Sequence, residues 1–294
     1  MSTTDWPDWP DDMRAVPNVF LRNAVFSTAK ERVNYSVWTV IGSCKNVSIS
    51  IFGQQLNQTD FDYFLQLLHL VRNQNSNTIY LDRRSFLKEL SFKEKEPGGW
   101  KYDELLNSLE RMQLTHLKIT INKQMVYTRN LIYENDYDDV NKTFRITLNN
   151  DLKNLFEHND GYTYVQLRDR LELGDHKLAK FLQGFCASHT ICHGYKVKTF
   201  KDLADSKGTL STFRKSLKVA LQILKDREKI IDFAIATDSD LVTIVKKPTK
   251  SQRKHIEKKA RANESQSGGT TPSFDDHENQ SYAISEFESA EVAE

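Results

Sequence analysis

Long apolar runs are missing from this chain. No stretch nears the ~18 consecutive apolar residues that a membrane helix needs, so a membrane-spanning helix is not expected. Cysteine is scarce: Cys44, Cys186 and Cys192 are odd in number and too few for a disulfide scaffold, which points to a reducing, cytoplasmic setting. The first twelve residues are acidic and rich in Trp and Pro, the opposite of the basic-then-apolar pattern of a secretory signal. There is no Gly-x-x-x-x-Gly-Lys-Ser/Thr loop, which argues against a nucleotide-driven motor of that type. Nor does any His-x-His pair stand near a nucleophilic tyrosine, as metal-dependent DNA nicking requires. An enzyme is therefore not expected, and neither is a cofactor.

Net charge is also nearly absent, at +1 from 41 basic and 40 acidic residues. The balance hides a segregation. Between Lys196 and Ile230 ten Lys and Arg face four acids, and between Lys246 and Arg261 eight face Glu257 alone. Beyond Arg261 come eight acids and no base. A basic surface suited to a polyanion is thus concealed in a neutral total. The other reading of such lysines is ordinary solvation of helix faces.

Residues 1–16 read as an acidic N-terminal segment, 17–158 and 159–248 as two domains, and 249–294 as a basic, then acidic, disordered tail. Periodicity predicts a helix over 17–29, strands over 37–41 and 47–52, and a strong helix over 59–73 with Phe61, Phe64, Leu65, Leu68 and Val71 at helical spacing. One order of elements then comes twice. A strand at 78–81 leads to a short helix with Phe86 and Leu90, a Gly/Pro turn, a longer helix over 100–114 and strands at 117–121, 125–133 and 143–148. After helical segments at 164–171 and 176–188, a strand at 195–197 leads to a short helix with Thr199 as expected N-cap, a long helix over 211–228 and strands at 230–236 and 241–245. Tyr102, Leu106 and Leu109 take the places of Phe213, Leu217 and Ala220. The expected fold is α+β, two tandem winged-helix domains with a disordered C-terminal tail.

In a helix-turn-helix the second helix lies in the major groove. The face of the last long helix opposite Phe213 and Leu217 offers Ser211, Thr212, Arg214, Lys215, Lys218 and Gln222, with Lys207 and Thr209 just before it. Arg and Gln can read base edges, whereas Lys, Ser and Thr suit phosphates. These eight are the principal candidates for contact with double-stranded DNA. The first unit mixes acids into its long helix, so only secondary contacts are expected there, from Lys93, Lys95, Lys101 and Arg111. A wing near Lys123 could reach an adjacent groove, whereas Asp238 and Asp240 should keep the second wing off phosphate. Asp136, Asp138 and Asp139 read as a hairpin-tip loop. Cys186, His189, Cys192 and His193 lie within eight residues, but their spacing is not a usual zinc arrangement, and core packing is the preferred reading.

Three strings carry a family likeness: Trp9-Pro10-Asp11-Asp12-Met13-Arg14-Ala15-Val16-Pro17-Asn18, the 60–72 helix ending Leu68-His69-Leu70-Val71-Arg72, and Lys180-Phe181-Leu182-Gln183-Gly184-Phe185-Cys186-Ala187-Ser188-His189. Over about residues 9–247 the chain resembles TrfA-type plasmid replication initiators. That resemblance implies binding to direct repeats (iterons) at a plasmid origin and opening of a neighbouring AT-rich region, whose single strands become a further partner. It also implies recruitment of the host replicative helicase and other replication proteins, and copy-number control through a monomer–homodimer balance. The acidic tail departs from the family pattern; screening of the preceding basic patch is the role expected for it. A winged-helix transcription regulator acting on its own promoter is the alternative, and a module whose winged helices dock proteins is a third reading.

Overall fold

The computed structural model describes residues 6–90, 99–158, 161–190, 192–248 and 253. Residues 1–247 form one compact unit of mixed α+β structure. The 249–294 tail lies, apart from Arg253, outside the described residues, as do Lys93 and Lys95.

The chain opens with β1 (Met13–Pro17), α1 (Asn18–Arg22) and β2 (Phe26–Ser27), followed by β3 (Asn34–Ile41), β4 (Val47–Gln54) and β5 (Leu56–Asn57). The helix expected over 17–29 stops after five residues. Asn23 ends it by bonding back to the Val19 carbonyl at 2.8 Å while accepting from the Cys44 amide at 2.6 Å. The expected N-terminal segment is not a separate piece, since Trp9 is 2 % exposed and β1 pairs antiparallel with a strand near residue 164.

Next comes α2 (Gln58–Gln74), begun by a reciprocal cap between Asn57 and Asp60 and ended by Asn75 in the left-handed conformation. Apolar residues at helical spacing predict one buried face, but nearly every side chain from Gln58 to His69 is buried. Such a helix is central, with partners on all sides.

From here the repeat is visible. First come β6 (Thr78–Asp82), α3 (Arg83–Glu89) and α4 (Gly99–Leu114), then β7 (His116–Ile121), β8 (Gln124–Asn130), β9 (Ile132–Asp138) and β10 (Thr143–Leu148). After α5 (Leu152–Glu157), β11 (Tyr162–Gln166), α6 (Leu167–Leu171) and α7 (Lys177–Ser188) come β12 (Cys192–Lys196), α8 (Val197–Leu203), α9 (Leu210–Asp226), β13 (Asp232–Ile235) and β14 (Leu241–Val245). In both passes the closing strand lies in the middle of a three-stranded antiparallel sheet, in the orders β6-β10-β9 and β12-β14-β13.

Five expectations change. The strand expected over 125–133 is two strands broken at Leu131. β7 and β8 leave the repeat and extend β3 and β4 into a four-stranded sheet, so Lys123 tips that sheet and is not a wing of the first repeat. The helix expected over 164–171 is strand β11 up to Gln166, because its partner β1 lies about 150 residues earlier. Thr199 sits inside α8, which starts after Lys196; the Asp240 carbonyl takes the Val197 amide at 2.9 Å, so no side-chain cap is needed. Finally, burial aligns Leu105, Ser108, Leu109 and Met112 with Leu217, Ala220, Leu221 and Leu224, one residue away from the expected match.

Two hydrophobic cores fill the unit, one drawing on residues from Trp6 to Leu167 and the other from Leu173 to Ile244. They are joined closely. The Thr28 amide donates to the Ala204 carbonyl at 3.0 Å, and the Gln55 amide side chain bonds Asp205. A Cβ on Gly42 would lie 2.1 Å from the Asp202 carbonyl oxygen, so only glycine permits that approach. Gly184, in the third family string, gives Leu21 of α1 its place against α7.

Candidate nucleic-acid interface

Helix α9 is held by its apolar stripe of Phe213, Leu217, Ala220, Leu221 and Leu224, and the Thr209 hydroxyl caps it by accepting from the Thr212 amide at 3.2 Å. Opposite the stripe, Ser211, Lys215, Lys218 and Gln222 are all exposed. Their spacing of four, three and four residues puts them in one line about 16 Å long. Among the described residues Lys215 and Lys218 make no ion pair, so both ammonium groups face solvent. Gln222 donates to Asp226 at 2.7 Å, and Thr212 is shared with its capping partner Thr209 at 3.0 Å.

Two expected contacts are occupied elsewhere. Arg214 sits at the edge of this line and forms an ion pair with Asp240, in the turn of the β13–β14 hairpin. Lys207 is drawn to Asp205 at 2.5 Å. Other bases of the segment are also spoken for: Lys198 by Asp202, Lys225 by Asp232, and Lys229 by Asp169 and Glu172. The basic surface is therefore narrower than the sequence count.

Helix α4, the counterpart of α9, presents Asp103, Asn107 and Glu110 to solvent where α9 presents Lys215, Val219 and Gln222. Lys101 pairs with Glu104 at 3.5 Å and lies 4.2 Å from the Trp100 ring centre. Arg111 faces inward: its guanidinium meets the fully buried Asp60 at 2.6 Å, and only 11 % of its side chain is exposed. The expected DNA contact from Arg111 is thus replaced by a structural one, made to a partner 51 residues away.

Sequence reasoning missed what the acids of α2 do. Asp60 accepts from the Asn57 amide at 2.8 Å, from Ser108 at 2.7 Å and from Arg111, with Arg32 3.3 Å away. Asp62 binds two buried cations, Arg170 Nε at 2.5 Å and Lys180 Nζ at 2.6 Å. Arg170 also reaches Gln58 Oε1 at 2.6 Å and the Lys180 carbonyl at 3.0 Å, and lies over Phe61. This network fastens α2 to α6 and α7. Carboxylates repeating within an apolar helix were the available signal, because a buried charge needs a partner.

Three members of the Cys/His cluster, Cys186, His189 and Cys192, make packing contacts. Cys186 and Cys192 lie in the second core, the Cys192 thiol donates to the Cys186 carbonyl at 3.8 Å, and His189 stacks on Phe185 at 4.1 Å. At the β9–β10 tip Asp138 accepts from the Val140 and Asn141 amides at 2.9 and 3.1 Å, ordinary hairpin chemistry.

No protein-family profile matches the chain, and no curated protein matches it. Its fold is similar to that of domains 2 and 3 of RctB, in a crystal structure of the selenomethionine derivative, with a TM-score of 0.54 at 11 % identity. The match covers 80 % of this chain and 99 % of the other. A second RctB structure, of domains 2–3, gives 0.49 at 10 % identity over 81 % and 99 %. At such identity the likeness is one of fold alone, and it does not extend to the TrfA-type family. No described helix is long and apolar enough to cross a membrane.

Proposed function

We propose that this chain initiates DNA replication by binding repeated sites in origin duplex DNA, each β-α-α-β-β repeat acting as a winged helix. The observation that carries the reading is the line Ser211–Lys215–Lys218–Gln222 on the second helix of the second repeat. Among the described residues its two ammonium groups make no ion pair, and it belongs to a fold shared with RctB, a replication initiator. Lys215 and Lys218 take phosphates, Gln222 is the base-reading side chain once it leaves Asp226, and Ser211 and Thr212 serve the backbone near the helix start. Arg214, tied to Asp240, holds the hairpin against α9 and sets the wing's angle.

The first repeat gives protein contacts, because Asp103 and Glu110 would repel a phosphate backbone. On this reading the protein works without catalysis. Protomers on adjacent repeats, iterons of a plasmid origin, strain the duplex, and a nearby AT-rich segment opens and is captured. The host replicative helicase and other replication proteins then join, and a homodimeric form restrains copy number. A soluble cytoplasmic protein follows from the same reading. Footprinting on DNA from its own replicon at physiological salt tests it. Evenly spaced protected repeats beside an AT-rich stretch support the proposal. A single protected promoter site would make the protein a transcription regulator, and no protection would leave protein docking.

A further inference from the structure

One face of the β3–β4–β7–β8 sheet rests on the first core through Ile49, Ile51, Leu117, Ile119 and Tyr127. Alternation along the strands turns Ser48, Ser50, Phe52, Lys118 and Thr120 to the other side. There Trp38 of β3 packs against Phe52 with ring centres 5.9 Å apart, and the Lys118 ammonium lies 4.0 Å from the indole centre. Both rings are about two-fifths exposed, at 43 % and 40 %. Thr120 and Met125 meet farther along. At that end a cavity of about 480 Å³ is lined by Asn46, Val47, Ser48, Thr120, Asn122 and Lys123. The four strands contain no Asp or Glu, in a chain that has 40.

We infer that this face is a stacking platform for single-stranded nucleic acid. Exposed aromatic rings accept any base, since every base has a π-face, and cations beside them hold the backbone. Trp38 and Phe52 are the rings, Lys118 stands against Trp38, and Lys123 lines the cavity end. The hydroxyls and amides between suit base edges, sugars and phosphates. A purely apolar partner would leave these polar groups unmatched, whereas an acid-free face with two lysines complements a polyanion. A duplex does not fit, because its bases already stack on one another. From Ser48 to Phe52 the strand runs about 13 Å, and four strands span about 14 Å. Two or three bases fit there, as on the four-stranded sheets that bind RNA. The inference rests on the initiator reading and deepens it: the ligand is a strand released when the origin opens, and its site is separate from α9.

The test measures fluorescence anisotropy of a labelled oligothymidylate with the full chain at low salt, beside a labelled origin duplex. Trp38→Ala/Phe52→Ala should weaken oligothymidylate binding by on the order of tenfold or more and leave the duplex unaffected. Trp38→Tyr/Phe52→Tyr should retain binding, which separates loss of stacking from loss of fold. Lys215→Ala/Lys218→Ala should do the reverse, sparing the single strand. Failure of the wild-type chain to bind oligothymidylate overturns the inference, as does unchanged affinity in the double alanine variant. So does an alanine variant that changes only the sedimentation of the protein, since the face would then be a contact between proteins. If the chain binds oligothymidylate but no duplex, the platform stands and the origin reading fails.

Discussion

Replacing Asp62 with alanine should be one of the costliest single changes in the molecule. The carboxylate lies between Arg170 and Lys180, whose side chains are 1 % and 9 % exposed. Removing it strands both cations away from water, and breaking one partner from a buried ion pair costs about 3–5 kcal/mol. The two cations do not suffer equally. Arg170 keeps Gln58 Oε1, the Lys180 carbonyl and the Phe61 ring, whereas Asp62 is the acceptor for the Lys180 ammonium among the described residues. Most of the loss therefore belongs to Lys180. Against a domain stability of about 5–15 kcal/mol, a 3–5 kcal/mol loss brings the chain near its unfolding threshold. Urea unfolding measures it, with an unchanged m-value confirming that the folded and unfolded states are comparable. Adding Lys180→Met to the Asp62→Ala chain should restore part of the loss, and the triple change Asp62→Leu, Arg170→Met, Lys180→Met should restore most of it. A loss below about 1 kcal/mol for Asp62→Ala would refute the reasoning, since the cations would then be hydrated in its absence.

If Lys215 and Lys218 each neutralise a phosphate, their joint replacement by alanine should make the slope of log K against log salt shallower by about 1.8; an unchanged slope removes α9 from the interface. Gly42→Ala drives a Cβ into the Asp202 carbonyl and should cost about 1–3 kcal/mol, read as a lower thermal midpoint; a neutral result would mean the two halves yield there. Burial, with Arg14 and Arg72 adding repulsion, pushes His69 down to about 4. Burial, aided by Arg22 and Lys246, does the same to His189. The unfolded chain takes up these protons below about pH 6.5 and the folded chain does not. Their contribution to stability is thus complete above pH 6.5, is lost as pH falls toward 4, and changes no further below that. Urea midpoints across this range should fall less steeply in His69→Gln/His189→Gln, and equal slopes would contradict the assignment.

What the sequence shows is what short-range periodicity can encode. Helices α2, α4 and α9 and strand β14 were legible because their apolar residues recur every three or four, or every two, positions. The outward line on α9 was legible for the same reason. Helix spacing fixes which side chains share a face before any partner is known. Strand β11 was not legible, since Tyr162–Gln166 is made extended by residues about 150 positions earlier. The ion pairs of Arg111 and Arg214 were hidden for a related cause. Each stands among exposed residues in the sequence, and each is turned aside by an aspartate from a different element, Asp60 or Asp240. The acid-free sheet face was hidden because its four strands come from two separate stretches of chain.

The pairing of β1 with β11 also sets an order of events at the ribosome. Met13 must wait for Gln166 and Pro17 for Tyr162. At about 5–20 residues added per second, that wait lasts on the order of 8–30 s. Through it Val16, and Trp9 with it, have no finished core to enter, so the nascent segment around residues 9–17 is a ready ligand for a chaperone that holds short apolar segments. Slowing synthesis before residue 162 should therefore lower the soluble yield more than slowing it after residue 166.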